Sequence, residues 1–268
     1  MSSTPAEAAL EHIRRLIAFD TTSRDSNLPL IEHVVALLAG LGVDATLVPD
    51  DTGAKANLFA TFPAADGGVD GGIVLSGHTD VVPVDGQAWS SEPFAAQVRD
   101  GRLYGRGACD MKSFIGVVLS RLTAIAATPL AEPIHLALSY DEEVGCFGAA
   151  DLVRAMTDAG LRPRGCVVGE PTGMRVVRGH KSITVIRVDL RGVAAHSSLT
   201  PDGVNAIALG AEFVRFVEQV AAEFRESGPF DDAYVVPYTT ATVNRIDGGI
   251  AVNTIPAACT LTFEFRAL

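Results

Sequence analysis

Acidic residues and a histidine recur where apolar runs of this sequence end. GIVLSGHTD closes one run with His78 and Asp80, IHLALSYDEE closes a second with Asp141, Glu142 and Glu143, and CVVGEPT closes a third with Glu170. Asp110, in RGACDMK, stands just before a helical pattern beginning at Ser113. A single acid at a strand end is usually a helix cap or a solvated loop residue. Several acids and one imidazole brought together would repel unless a cation neutralised them. A mixed histidine and carboxylate set suits Zn²⁺, Co²⁺ or Mn²⁺ better than Ca²⁺, which takes oxygen ligands throughout. Asp80, two residues beyond His78, is placed to hold the imidazole in one tautomer. Glu142 and Glu143 are neighbours and cannot point the same way from extended backbone. One can therefore ligate while the other acts as a general base, and periodicity leaves open which does which. His12 and His33 lie in helical patterns and His135 on an alternating strand, where structural roles are expected.

For these residues to meet, the runs that carry them must be neighbouring parallel strands, whose carboxyl ends form the ligand crevice of an open α/β sheet. The pattern supplies such elements. Helical periodicity covers 6–19, 28–41, 113–127 and 149–159, and strand-like runs cover 45–48, 57–62, 72–77, 134–140 and 166–169. This alternation predicts an α/β domain with a mixed, mostly parallel sheet and flanking helices. Beyond residues 175–182 the order becomes strand 183–190, helix 204–223, strand 238–246 and strand 258–266, which is α+β chemistry of the split βαβ kind. The expected domains are 1–178, catalytic, and 179–268, a smaller ferredoxin-like domain.

Composition narrows the function classes. Of 268 residues, 48% are hydrophobic and 20% charged, as in ordinary globular proteins. Thirty-two acids against 21 bases give a net charge of −11, which disfavours a nucleic-acid partner. The N-terminus reads as an amphipathic helix without a signal peptide's apolar core, and no run is long enough to span a bilayer. Cys109, Cys146, Cys166 and Cys259 are scattered without a C-x-x-C pair, which implies a cytoplasmic protein with reduced thiols. GRLYGRG (101–107) lacks the terminal GK[ST] and the strand–glycine–helix order of nucleotide-binding loops. No G-x-S-x-G is present, which disfavours a serine hydrolase.

GHTDVVPV, GRGACDMK, SYDEEVGCFGA, GEPT and HSSLTPDGVNAI, in this order, resemble the aminoacylase/carboxypeptidase G superfamily of metal-dependent amidohydrolases. DEEVGCFGA, GEPT and RGHKS are most similar to its acetylornithine deacetylase branch. The resemblance implies a zinc-exopeptidase-like catalytic domain with a lid, and two divalent metals, Zn²⁺ or Co²⁺. It assigns His78 and Glu170 to the first metal, Glu143 to the second, and Asp110 as the bridge between them. Glu142 would be the general base, Asp80 the orienter of His78, and His196 a lid residue that reaches a neighbouring subunit's substrate carbonyl in a homodimer. Asn253, in VNTIP, matches a lid residue near substrate, whereas Lys181 matches a branch residue without an assigned role. A cis bond between Asp110 and Met111 is also implied. The implied reaction is hydrolysis of a small N-acyl amino acid, N²-acetyl-L-ornithine, as in arginine biosynthesis. The alternatives are a desuccinylase, aminoacylase or dipeptidase, or a non-catalytic homologue. The family's further histidine ligand to the second metal comes from a C-terminal segment not reached by residue 268, so the resemblance implies a C-terminally truncated lid and an incomplete second site.

Overall fold

The computed structural model describes residues 4–268 and divides between Met174 and Arg175 into two compact units. The first unit opens with α1 (Pro5–Ile17). Its start is fixed by a capping box: Thr4 Oγ1 accepts the Glu7 amide at 3.3 Å, and the Glu7 carboxylate accepts the Thr4 amide at 2.7 Å. Then follow α2 (Leu28–Ala39), β1 (Ala45–Pro49), β2 (Ala56–Phe62), β3 (Ile73–His78), β4 (Gln97–Arg99), β5 (Arg102–Tyr104), α3 (Lys112–Ala127), β6 (Ile134–Ser139), α4 (Phe147–Asp158) and β7 (Gly165–Val168).

Five of these strands form one sheet in the order β1-β2-β6-β3-β7. Its two faces follow from the two-residue strand period. Leu58, Ala60 and Phe62 of β2 and Leu136 and Leu138 of β6 meet Leu30, Ile31, Val34 and Leu38 of α2 and Ile115, Leu119 and Leu122 of α3. Phe59 and Ala137 point the other way and pack with Leu152 and Met156 of α4. Each fully buried Leu or Ile in these layers contributes on the order of 2 kcal/mol. Pairing is parallel in β6-β3-β7 and antiparallel in β1-β2-β6, so the sheet is mixed, with less parallel pairing than the alternation predicts. The parallel part is what the site needs. His78 pairs with Ser139, and Ser76 with Val168, so three carboxyl ends lie side by side. The short β4–β5 hairpin was not expected from the sequence.

The second unit holds β8 (Ser182–Arg191), α5 (Ala206–Ser227), β9 (Thr240–Gly248) and β10 (Ala258–Ala267). Its antiparallel sheet runs β8-β10-β9. Asn205 caps α5 by accepting the Ile207 and Ala208 amides. Phe213 and Val217 then pack on Leu261, Phe263 and Ala241 of the sheet.

Candidate metal centre

β3 ends in His78, buried to 2% exposure. Its Nε2 lies 2.9 Å from Asp110 Oδ1, 3.7 Å from Glu170 Oε1 and 3.9 Å from Glu142 Oε2. The strand order explains the meeting: β6 and β7 flank β3, and the chain leaving each delivers Glu142 and Glu170. Asp110 arrives from the loop that enters α3, across an Asp110–Met111 bond that is cis, as expected. Gly169 lets Glu170 approach, because a Cβ there would lie 1.9 Å from the Phe114 ring. One ligand atom each from His78, Asp110 and Glu170 falls within 4.8 Å of the others.

The electrostatics show a surplus of negative charge. Burial works against the His78 imidazolium, yet the hydrogen bond and charge of Asp80, then Asp110 and Glu170, outweigh it and carry its pKa up to about 9. Burial pushes the Glu143 and Glu170 carboxyls up, the Asp110 charge adding to this and His78 opposing it. A divalent cation answers such a donor set, since one imidazole and two carboxylates are what borderline transition metals take. Among the described residues this is the one three-donor group of its kind, and Glu143 is not part of it.

Residues 74–254 match the model of peptidase family M20/M25/M40. The chain belongs to this family. It is 39% identical over 261 residues to an acetylornithine deacetylase of Myxococcus xanthus, covering 96% of this chain and 66% of that one. An acetylornithine deacetylase of Pasteurella multocida is 35% identical, over 91% of this chain and 62% of its own. The chain thus spans a little under two thirds of the length of these relatives. Among solved structures, an M20 metallo-carboxypeptidase of Sulfolobus solfataricus superposes with a TM-score of 0.74 at 19% identity, over 97% of this chain and 71% of that one.

Around His78 the structure adds detail that spacing does not give. Asp80 lies beside His78, but the nearest partner of Nδ1 is the Asp80 backbone carbonyl at 2.9 Å, with the carboxylate at 3.4 Å. The carboxylate also accepts the backbone amides of Glu142 and Glu143, at 3.1 and 3.2 Å, and the Ser23 hydroxyl at 2.7 Å. Burial would raise this carboxyl, yet the hydrogen bonds from His78 and Ser23 hold it below the usual range. Lys112, fully buried, donates to the Phe19 carbonyl at 2.7 Å. Burial pushes its amine down to about 7 against the pull of Asp20 and Asp80. Ser23, Lys55 and Lys112 were not among the residues singled out from the sequence. Lys112 directly follows the Asp110–Met111 pair, which is its only local signal.

In the second unit His196 and Asn253 lie on neighbouring segments, where the Ser197 amide donates to the Asn253 carbonyl at 3.0 Å. Both are exposed. His196 Nδ1 accepts the Ser198 amide at 3.3 Å and lies 2.8 Å from the Ser198 hydroxyl. Lys181 donates to the Tyr238 carbonyl and stands over that ring, tying the start of β8 to the approach to β9.

Proposed function

We propose that this protein is a metal-dependent amidohydrolase that removes the acetyl group from N²-acetyl-L-ornithine, a step of arginine biosynthesis. The observation that carries the hydrolase reading is the convergence of His78, Asp110 and Glu170 with Glu142 at their margin. The identity of 39% and 35% to acetylornithine deacetylases supports the substrate. His78, Asp110 and Glu170 would hold one Zn²⁺ or Co²⁺, and Glu143 with Asp110 would supply part of a second, incomplete site. When bound, such ions lower the pKa of water and polarise an amide carbonyl.

The chain's own residues handle the protons and the geometry. Glu142 takes a proton from the attacking water as the new C–O bond forms. It returns that proton to the ornithine nitrogen as the C–N bond breaks, and the second water proton, left on the new carboxyl, passes to the freed amine, so that acetate and the ornithine ammonium separate. Asp80 holds the backbone of Glu142 and Glu143, and so fixes where both carboxylates start. His196 is suited to donate to the carbonyl oxygen as charge develops there, in a homodimer to the substrate of a neighbouring copy, with Asn253 beside it.

No helix among the described residues is long and apolar enough to cross a membrane. The four cysteines are free, which fits a reducing cytoplasm. The test is a substrate panel at saturating Zn²⁺ or Co²⁺. N²-acetyl-L-ornithine should give the highest kcat/KM, above N-succinyl-diaminopimelate and dipeptides. A preference for either of the latter would contradict the assignment.

A further inference from the structure

Lys55 stands just before β2, is not one of the three candidate ligands, and has no part in the chemistry above. Its side chain is 14% exposed, and Nζ donates to Asp141 Oδ1 at 2.6 Å and to the Ser23 carbonyl at 2.5 Å. Both partners lead straight to the reactive carboxylates. Asp141 precedes Glu142 and has φ +55°, in the left-handed region that few residues other than glycine, asparagine and aspartate adopt. Ser23 gives its hydroxyl to Asp80 Oδ2, and Asp80 in turn accepts the amides of Glu142 and Glu143. The contacts close a ring: Lys55 to Asp141, along the backbone to Glu142, to Asp80, to Ser23, and back to Lys55.

The ring's supports are themselves fixed. The Ser23 amide donates to the Val81 carbonyl, and the Val81 amide to the Thr21 carbonyl. Asn27 exchanges hydrogen bonds with Ala56, the residue after Lys55, and also donates to Thr79 Oγ1. On the far side Asn57 accepts the Tyr140 amide and donates to the Gly148 carbonyl. The 141–143 turn is therefore held at both ends, with Asp80 taking two of its amides and Lys55 its Asp141 carboxylate.

We infer that Lys55 is a positioning residue, which through Asp141 and Ser23 locks the turn that aims Glu142 and Glu143. A partly buried ion pair with good hydrogen-bond geometry can hold such a turn, and a small misplacement of a general base is costly to rate. The catalytic consequence rests on the hydrolase reading above; the clamp itself does not.

The test joins two measurements on Lys55→Met and Asp141→Asn in the full chain. Asparagine tolerates the left-handed backbone, so Asp141→Asn weakens the ion pair while keeping the turn's conformation available. In hydrogen exchange followed by mass spectrometry, peptides over 139–147 should exchange about tenfold faster in either variant, while those over α3 stay unchanged. The double variant should exchange no faster than the faster single one, because one interaction is lost in all three. With N²-acetyl-L-ornithine, kcat should fall by about 10- to 100-fold with KM held within about twofold. Unchanged exchange at 139–147, or equal acceleration in α3, would overturn the clamp. Local acceleration with an unaltered kcat would overturn the positioning role. A parent chain without turnover would defeat the hydrolase reading instead, and the exchange result would still decide the clamp.

Discussion

Asp80 and Glu142 are joined from the Asp80 carboxylate to the Glu142 backbone, and not from one side chain to the other. The Glu142 amide donates to Asp80 Oδ1 at 3.1 Å, and the neighbouring Glu143 amide to Oδ2 at 3.2 Å. One buried carboxylate thus ties the end of β3 to the turn after β6. Asp80→Asn offers one acceptor oxygen to two amides and a hydroxyl. It should lower kcat by about 10- to 100-fold. Excess metal should not restore the rate, since the loss is one of aim. Full recovery at high metal concentration would mean that Asp80 serves metal affinity alone.

Glu142→Gln removes the proton acceptor while keeping size and hydrogen bonding. Turnover should fall by about 10²- to 10⁴-fold. The metal content of the purified variant should equal that of the parent, because Glu142 lies outside the three-donor group. Elemental analysis beside steady-state kinetics checks both halves.

At Gly169 the prediction is steric. A methyl group would overlap the Phe114 ring at 1.9 Å, just before Glu170. Gly169→Ala should destabilise the fold by about 1–3 kcal/mol, as overpacked cores do. It should also weaken metal binding through Glu170. Adding Phe114→Ala should recover part of both, read by thermal unfolding and a metal titration.

His33 offers a pH test away from the centre. Burial, then the charges of Arg15 and His12, lower its pKa from the ordinary 6.5, and its Nε2 has no partner among the described residues. The fold therefore prefers the neutral ring, whereas the unfolded chain takes up a proton below pH 6.5. Stability should be fully present above that pH and decline as pH falls toward the lowered folded value. His33→Leu should flatten that decline, measured as the difference in urea unfolding between variant and parent at about pH 7 and about pH 5. Parallel pH profiles would remove His33 from the account.

Much of this architecture was legible because its signals are local. IHLALS alternates, and β6 places Leu136 and Leu138 on one sheet face with His135 and Ala137 on the other. The strand-end positions of His78, Glu142 and Glu170 were readable for the same reason. The β4–β5 hairpin escaped because each strand has three residues, paired only with one another. The supports of the site escaped because their partners are distant in sequence. Ser23 and Asp80 are 57 residues apart, and Lys55 and Asp141 are 86 apart. Spacing placed Asp80 near His78, yet only the fold shows its carboxylate turned to the backbone of the next strand's turn.

The central claim is that the carboxyl edge of β6, β3 and β7 binds a catalytic cation. The most direct measurement is anomalous diffraction from crystals grown with Zn²⁺. The account predicts a strong peak about 2.0–2.2 Å from His78 Nε2 and from carboxylate oxygens of Asp110 and Glu170. A fully occupied ion elsewhere on the chain, with His78 still hydrogen-bonded to Asp110, would contradict it.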